Sequence, residues 1–116
     1  MKIICYKNCS TCKGVVKLMK DKNIDFEYRE ISEENPTIKE LKEWKEKSGL
    51  PLKKFFNTSG KIYRELELSK KLPDMSEEEQ YELLASDGMI VKRPILILEN
   101  GDVFVGADVK KYLEGK

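Results

Sequence analysis

The apolar positions along the chain change their period several times, and they predict a succession of strands and helices. Residues 2–6 form a short apolar run that predicts a buried strand. From Cys12 to Met19 the apolar residues recur at helical spacing, and Asn23 is a suitable left-handed end for this helix. Residues 24–29 then alternate between apolar and charged, as in a second strand. A strand, a helix and a strand in this order predict two parallel strands joined by a crossover helix.

The middle of the chain is predicted to be helical. Thr37 and Glu40 match a capping box, and Ser76 and Glu79 match a second one, so each pair marks the start of a helix. Gly49 and Asp87–Gly88 are the predicted ends of these two helices. Between them lie a short turn after Pro51 with Phe55 and Phe56, a turn at 57–60, and a helix with Ile62, Tyr63 and Leu66.

The last part of the chain predicts two strands and a helix. Residues 94–98 are an apolar strand, Asn100–Gly101 is a strong hairpin signal, and 103–105 are the returning strand. A final helix follows. The resulting order predicts an α/β fold with a thioredoxin/glutaredoxin-like core (βαβ…ββα) and a helical insertion after the second strand. We predict a single domain over residues 1–116, with the core at 1–31 and 89–116 and the helical insertion at 36–87.

Charge and hydropathy limit the partners of the chain. Lysine and arginine number 22 against 21 aspartate and glutamate, and this net charge of +1 argues against direct binding to nucleic acid or a membrane surface. No apolar run approaches the length of a membrane span, and the first residues are too short for a signal peptide. Three cysteines without an export signal predict a reducing compartment. We therefore expect a cytoplasmic monomer.

The motif that carries chemistry is Cys9-Ser10-Thr11-Cys12, which lies between the first strand and the first helix. At this junction the unpaired N–H groups of the first helical turn and the helix dipole favour a thiolate. The thiolate is the reactive form of cysteine. The placement predicts a thioredoxin-like redox centre in which Cys9 is the nucleophile and Cys12 resolves the intermediate.

Two other interpretations of the motif stay open. A structural zinc site needs four ligands, but the chain has no histidine and only one further cysteine, Cys5, which we interpret as a small buried apolar residue. The pair could also be an inert dithiol. Redox chemistry is favoured over both. The chain shows no phosphate loop and no metal-ligand set, so we predict no metal and no bound cofactor.

Three segments together resemble the ArsC/Spx family of arsenate reductase-like proteins: residues 6–12, 55–66 and 91–95. The resemblance implies that Cys9 is the reactive cysteine. It implies that Pro94 is a cis-proline facing this cysteine, and that Arg93 holds an anionic substrate beside it. A guanidinium held there would bind an oxyanion and favour a thiolate. The competing interpretation of Arg93 is a surface charge with a local partner.

The resemblance also suggests three candidate functions, which are not equally favoured. Arsenate reductases of the family use further arginines, which by ungapped matching fall near Asn57 and Gly106 here, so we expect arsenate reduction to be absent or weak. The favoured function is a thiol–disulfide oxidoreductase that receives electrons from glutathione, glutaredoxin or a thioredoxin system. The alternative is an Spx-like redox-sensing regulator that binds the alpha subunit of RNA polymerase.

Overall fold

The centre of the fold is a four-stranded sheet. The computed structural model describes residues 1–116. The strands β1 (Lys2–Cys5), β2 (Glu27–Glu30), β3 (Ile95–Ile97) and β4 (Val103–Val105) lie in the order β2-β1-β3-β4. The predicted parallel pairing of β1 with β2 and the predicted hairpin of β3 with β4 are both present. In addition, β1 pairs with β3 in antiparallel orientation. The predicted hairpin turn joins β3 to β4, with Gly101 at a φ of 97°.

Helices cover both faces of this sheet. One layer consists of α1 (Ser10–Asp21) and α6 (Ala107–Glu114). The other contains α2 (Ile38–Ser48) and α5 (Glu77–Ser86), both of which begin at the predicted capping boxes. Two short helices that lie between them in sequence are α3 (Lys61–Glu65) and α4 (Leu68–Lys71), of which α4 was not predicted. The predicted fold class is confirmed. No helix of the structure combines the length and apolar character needed to cross a membrane.

The first strand is buried on both faces, and this decides where its cysteine points. Ile3 and Cys5 belong to the core beneath α1 and α6, whereas Ile4 belongs to the core beneath α2 and α5. Alternate side chains of a strand point to opposite faces, so residues 3 and 5 share one layer. Cys12 of α1 is buried in the same layer. Cys5 and Cys12 are therefore brought together although they lie on different elements.

The observed second strand differs from the predicted one in where it begins and in which side chains it buries. It begins at Glu27 rather than near residue 24, its Tyr28 is 43% exposed, and its Arg29 is only 8% exposed. The guanidinium of Arg29 is buried because it donates two hydrogen bonds to Glu40, of 2.7 and 3.1 Å, at the start of α2. It also lies over the ring of Trp44, 5.9 Å from the centroid. Arg29 thus ties β2 to the helical insertion.

A backbone bridge connects the insertion to the segment that precedes β3. Phe56 pairs with Val91 in an isolated antiparallel bridge. The flanking hydrogen bonds are short, with Asn57 N donating to Ile90 O at 2.7 Å and Lys92 N donating to Phe55 O at 2.7 Å. The bridge fixes the backbone immediately before Arg93.

Candidate active site

Cys9 is the N-cap residue of α1. Its N–H donates to the carbonyl of Tyr6 at 3.1 Å, and its carbonyl accepts from the N–H of Lys13 at 3.0 Å. The side chain makes no capping hydrogen bond with the first turn of the helix, and the residue is partly exposed. Because the backbone alone holds this turn, the sulfur of Cys9 can change partners without unwinding the helix.

Cys12 lies one turn further along α1 and is 1% exposed. The Cys5 thiol is the main cause that lowers the pKa of Cys12. The backbone of Tyr6 and the Cys9 thiol add to its influence, and together they outweigh burial and lower the pKa of Cys12 to about 6. The lowered pKa favours a thiolate at Cys12 at neutral pH, and Cys9 lies one helical turn before it.

Cys5 is the thiol that the sequence did not assign to the site. It is fully buried. Its hydrogen bond to Cys12 is the main cause that raises the pKa of Cys5 far above its ordinary value, and burial adds to the effect. Cys5 therefore keeps its proton and acts as a donor, not as a nucleophile. The alternation of side chains along residues 3–5 could have indicated this contact, because it places Cys5 on the face of the sheet that α1 covers.

We expect the substitution Cys5→Ala to raise the pKa of Cys12, because it removes the hydrogen bond that most favours the Cys12 thiolate. Thiolate ultraviolet absorbance measured across pH in a Cys9→Ser background reports this shift. Cys5→Ser is the matched control, since a hydroxyl can still donate and should leave the pKa of Cys12 below that of the alanine variant. Identical titrations for all three proteins would contradict the role of Cys5.

Arg93 and Pro94 come directly before β3, and the guanidinium of Arg93 lies near the cysteine turn. The peptide bond between them is cis. The Nη1 of Arg93 donates to the carbonyls of Val91 and Met89, at 3.2 and 3.4 Å, and the guanidinium lies 5.1 Å from the ring centroid of Tyr6. Its Nε is buried without a hydrogen-bond partner. The charge of Arg93 also helps to lower the pKa of Cys12. Arg93 is thus held near the thiols with its buried Nε–H donor unused.

Asn57 and Gly106, near which the ungapped matching places further arginines of arsenate reductases, have other roles in this structure. Gly106 precedes α6 at a φ of 64°, and its N–H donates to the carbonyl of Pro94 at 2.8 Å. A Cβ on Gly106 would lie 3.0 Å from Cε of Lys92, so the lysine side chain occupies the adjacent space. Asn57 takes part in the backbone bridge to the segment before Arg93. Neither position supplies a guanidinium.

The structure contains no group of three or more histidine, cysteine, aspartate or glutamate side chains arranged to hold a metal ion. Its three cysteines are all free thiols. The site brings together a partly exposed Cys9, a buried Cys12 whose pKa is lowered, and a buried Cys5 whose pKa is raised.

A comparison with known families decides the classification. The model of the ArsC family matches residues 5–114, which is nearly the whole chain. The chain belongs to the ArsC family. Among its relatives, the protein YusI of Bacillus subtilis is 53% identical over 90 residues, which cover 78% of this ArsC-family chain and 76% of YusI.

Two further likenesses bear on the fold and the function. The crystal structure of an ArsC family related protein from Bacteroides fragilis superposes with a TM-score of 0.91 and 48% identity, covering 99% of this ArsC-family chain and 96% of that structure. The regulatory protein MgsR of Bacillus subtilis is 27% identical over 109 residues, which cover 94% of this chain and 84% of MgsR.

Proposed function

We propose that this ArsC-family chain is a cytoplasmic thiol–disulfide oxidoreductase that uses Cys9 and Cys12. The observation that carries the proposal is the placement of a partly exposed Cys9 at the start of α1, one turn before the buried Cys12, whose pKa is lowered by its neighbours Cys5, Tyr6, Cys9 and Arg93. A buried thiolate costs free energy unless it is stabilised, so this arrangement is typical of a reactive site rather than of an inert dithiol.

The proton balance of the reaction follows from this arrangement. The Cys12 thiolate takes the proton of Cys9, and the Cys9 thiolate attacks one sulfur of a substrate disulfide, displacing the first thiolate. That leaving group takes the proton from Cys12. The Cys12 thiolate then attacks the sulfur of Cys9 and displaces the second substrate thiolate. The substrate disulfide is reduced to two thiols, and the enzyme is left with a Cys9–Cys12 disulfide.

The oxidised enzyme needs a thiol reductant to return to its starting state. Glutathione, glutaredoxin or a thioredoxin system would reduce the Cys9–Cys12 disulfide by the same exchange chemistry in reverse. Such a cycle involves no bound cofactor. It suits a reducing cytoplasm, where a Cys-x-x-Cys pair is regenerated after each turnover.

The test is a turnover assay with bis(hydroxyethyl) disulfide, coupled to each candidate reductant in turn. We expect turnover with at least one reductant, and mass spectrometry of the enzyme without reductant should show an internal Cys9–Cys12 disulfide. Turnover should decline as the pH falls through about 6, because protonated Cys12 can no longer accept the proton of Cys9. No exchange with any disulfide, or dimers linked through Cys5, would refute the mechanism.

Arsenate is disfavoured as the substrate because Arg93 is the one guanidinium among the residues that correspond to the oxyanion clamp. An oxyanion held by a single arginine lacks the several donors that orient it for attack. We expect glutaredoxin-coupled arsenate reduction to be very weak. Robust arsenate turnover that is lost in Cys9→Ser would overturn this expectation.

We expect Arg93→Ala to slow alkylation of Cys9 by iodoacetate more than by iodoacetamide. The unused Nε and the charge of Arg93 favour an anion near the thiols, whereas the neutral reagent gains nothing from them. The iodoacetate rate should fall by about threefold to tenfold, and Arg93→Lys should recover part of it. Equal rates for wild type and Arg93→Ala, with a lowered melting temperature, would assign Arg93 a structural role only.

A redox-sensing regulator is the second candidate, and the likeness to MgsR favours it. In this case the Cys9–Cys12 disulfide would change binding to RNA polymerase instead of serving turnover. A pull-down with the C-terminal domain of the polymerase alpha subunit separates the two functions. Binding in one redox state only, together with no disulfide turnover, would favour the regulator.

A further inference from the structure

A groove runs along α1 on the side that faces β2. It encloses about 390 Å³, within the range of roughly 300–1,000 Å³ that is usual for small-molecule sites. Cys12 forms part of its wall, one helical turn from Cys9. The other residues of the wall are Tyr6, Lys7, Lys13, Val16, Lys17, Lys20 and Tyr28.

The groove carries a concentrated positive charge. All four of its lysines are exposed, and none of them forms an ion pair with a carboxylate. Lys13, Lys17 and Lys20 recur at spacings of four and three, so they line one face of α1. Because the net charge of the whole chain is only +1, the charge is local to this surface.

The walls between these lysines are apolar, with the half-buried ring of Tyr6, the side chain of Val16 and the exposed ring of Tyr28. Glu30, the last residue of β2, is an acidic side chain near the groove, and its carboxylate is already hydrogen-bonded. Its carboxylate accepts from the Ser32 hydroxyl at 2.6 Å, from the Tyr28 hydroxyl at 2.9 Å and from the Lys7 N–H at 2.9 Å. None of these donors is a lysine ammonium, so the lysines remain available to a ligand.

We propose that this groove binds the organic part of a low-molecular-weight disulfide that carries carboxylates on an apolar body. The inference rests on the proposed thiol–disulfide exchange and names its substrate class. The carboxylates would lie among Lys13, Lys17 and Lys20, the apolar body against Tyr6 and Tyr28, and the sulfur end at the start of α1 beside the cysteines. The exchange step is the one given above, with two anionic thiols released and the Cys9–Cys12 disulfide formed.

The first test compares two chromogenic aromatic disulfides, the anionic dithiobis(nitrobenzoate) and the neutral dithiodipyridine. The variant Lys13→Gln with Lys17→Gln should lower the ratio of the anionic-probe rate to the neutral-probe rate about tenfold. The matched control is Lys53→Gln with Lys54→Gln, which removes the same charge from two exposed lysines outside the groove and should alter neither rate. The wild-type rate with the anionic probe should also fall with added salt.

The second test measures binding without reaction. Nitrobenzoate should shift the backbone amide resonances of residues 13–20 and of Tyr28, whereas nitrobenzamide should not. Equal slowing with both disulfides, an equal effect of the control variant, or no nitrobenzoate shifts in the groove would overturn the inference. If neither disulfide reacts but nitrobenzoate still binds here, the groove stands as an anion site and the proposed exchange activity fails.

Discussion

Cys9→Ser is expected to lower disulfide turnover by more than about a hundredfold, because a serine hydroxyl is not ionised near neutral pH and cannot displace a thiolate. The fold should be retained, since the backbone alone caps α1 at this residue. The coupled assay with bis(hydroxyethyl) disulfide measures the loss, and circular dichroism checks the helices.

The companion variant Cys12→Ser separates attack from resolution. It should still form a mixed disulfide at Cys9, but this species should accumulate because no second thiol displaces the substrate. Mass spectrometry after a single addition of disulfide detects it. If Cys12→Ser turned over normally, or if Cys9→Ser accumulated the adduct on Cys12, the assigned order of the two thiols would be wrong.

Arg29→Ala is expected to lower the free energy of unfolding by about 2–4 kcal/mol. The substitution removes a buried guanidinium that donates to Glu40 and to the carbonyls of Glu34 and Asn35, and it leaves these acceptors without their partner. The effect stays below that of a fully buried ion pair because the Glu40 side chain is 33% exposed and is partly solvated. Urea denaturation followed by tryptophan fluorescence measures it, since Trp44 adjoins Arg29.

The pH dependence of this interaction has a definite sign. The hydrogen bond from Arg29 is the main cause that lowers the pKa of Glu40, so the stabilisation is fully present above the ordinary carboxyl pKa. It is lost as the pH falls through the lowered folded-state pKa. Arg29→Ala should therefore approach the stability of the wild type in acid. Arg29→Lys keeps the charge but not the paired hydrogen bonds, and should lie between the two. A variant Arg29→Ala as stable as the wild type at neutral pH would refute this account.

The sequence predicts most of the architecture because the signals are local. Both capping boxes, the left-handed Asn23 and Gly49, and the Asn100–Gly101 turn depend on neighbouring residues, and all of them are present. The burial of Arg29 could not be predicted in this way, because its partner Glu40 lies on another element.

The candidate site likewise contains some features that the sequence predicts and others that depend on tertiary packing. Placing Cys9 at the helix start and Pro94 after a cis bond needed only the motif and the family resemblance. The contact between Cys5 and Cys12 depends on the packing of α1 against β1, and the cationic groove depends on Tyr28 of β2 lying beside α1. Both are contacts between separate elements, which a single sequence predicts only indirectly.

The bridge between Phe56 and Val91 has a consequence for how relatives of this chain can diverge. Its hydrogen bonds are made by main-chain atoms, so they persist when the side chains change. Of the short helices that follow the bridge, α3 buries no residue and α4 buries only Leu68. The exposed residues of 58–71 can therefore change to suit new partners while the main-chain bridge keeps Arg93 beside the thiols, so that recognition and chemistry can evolve separately.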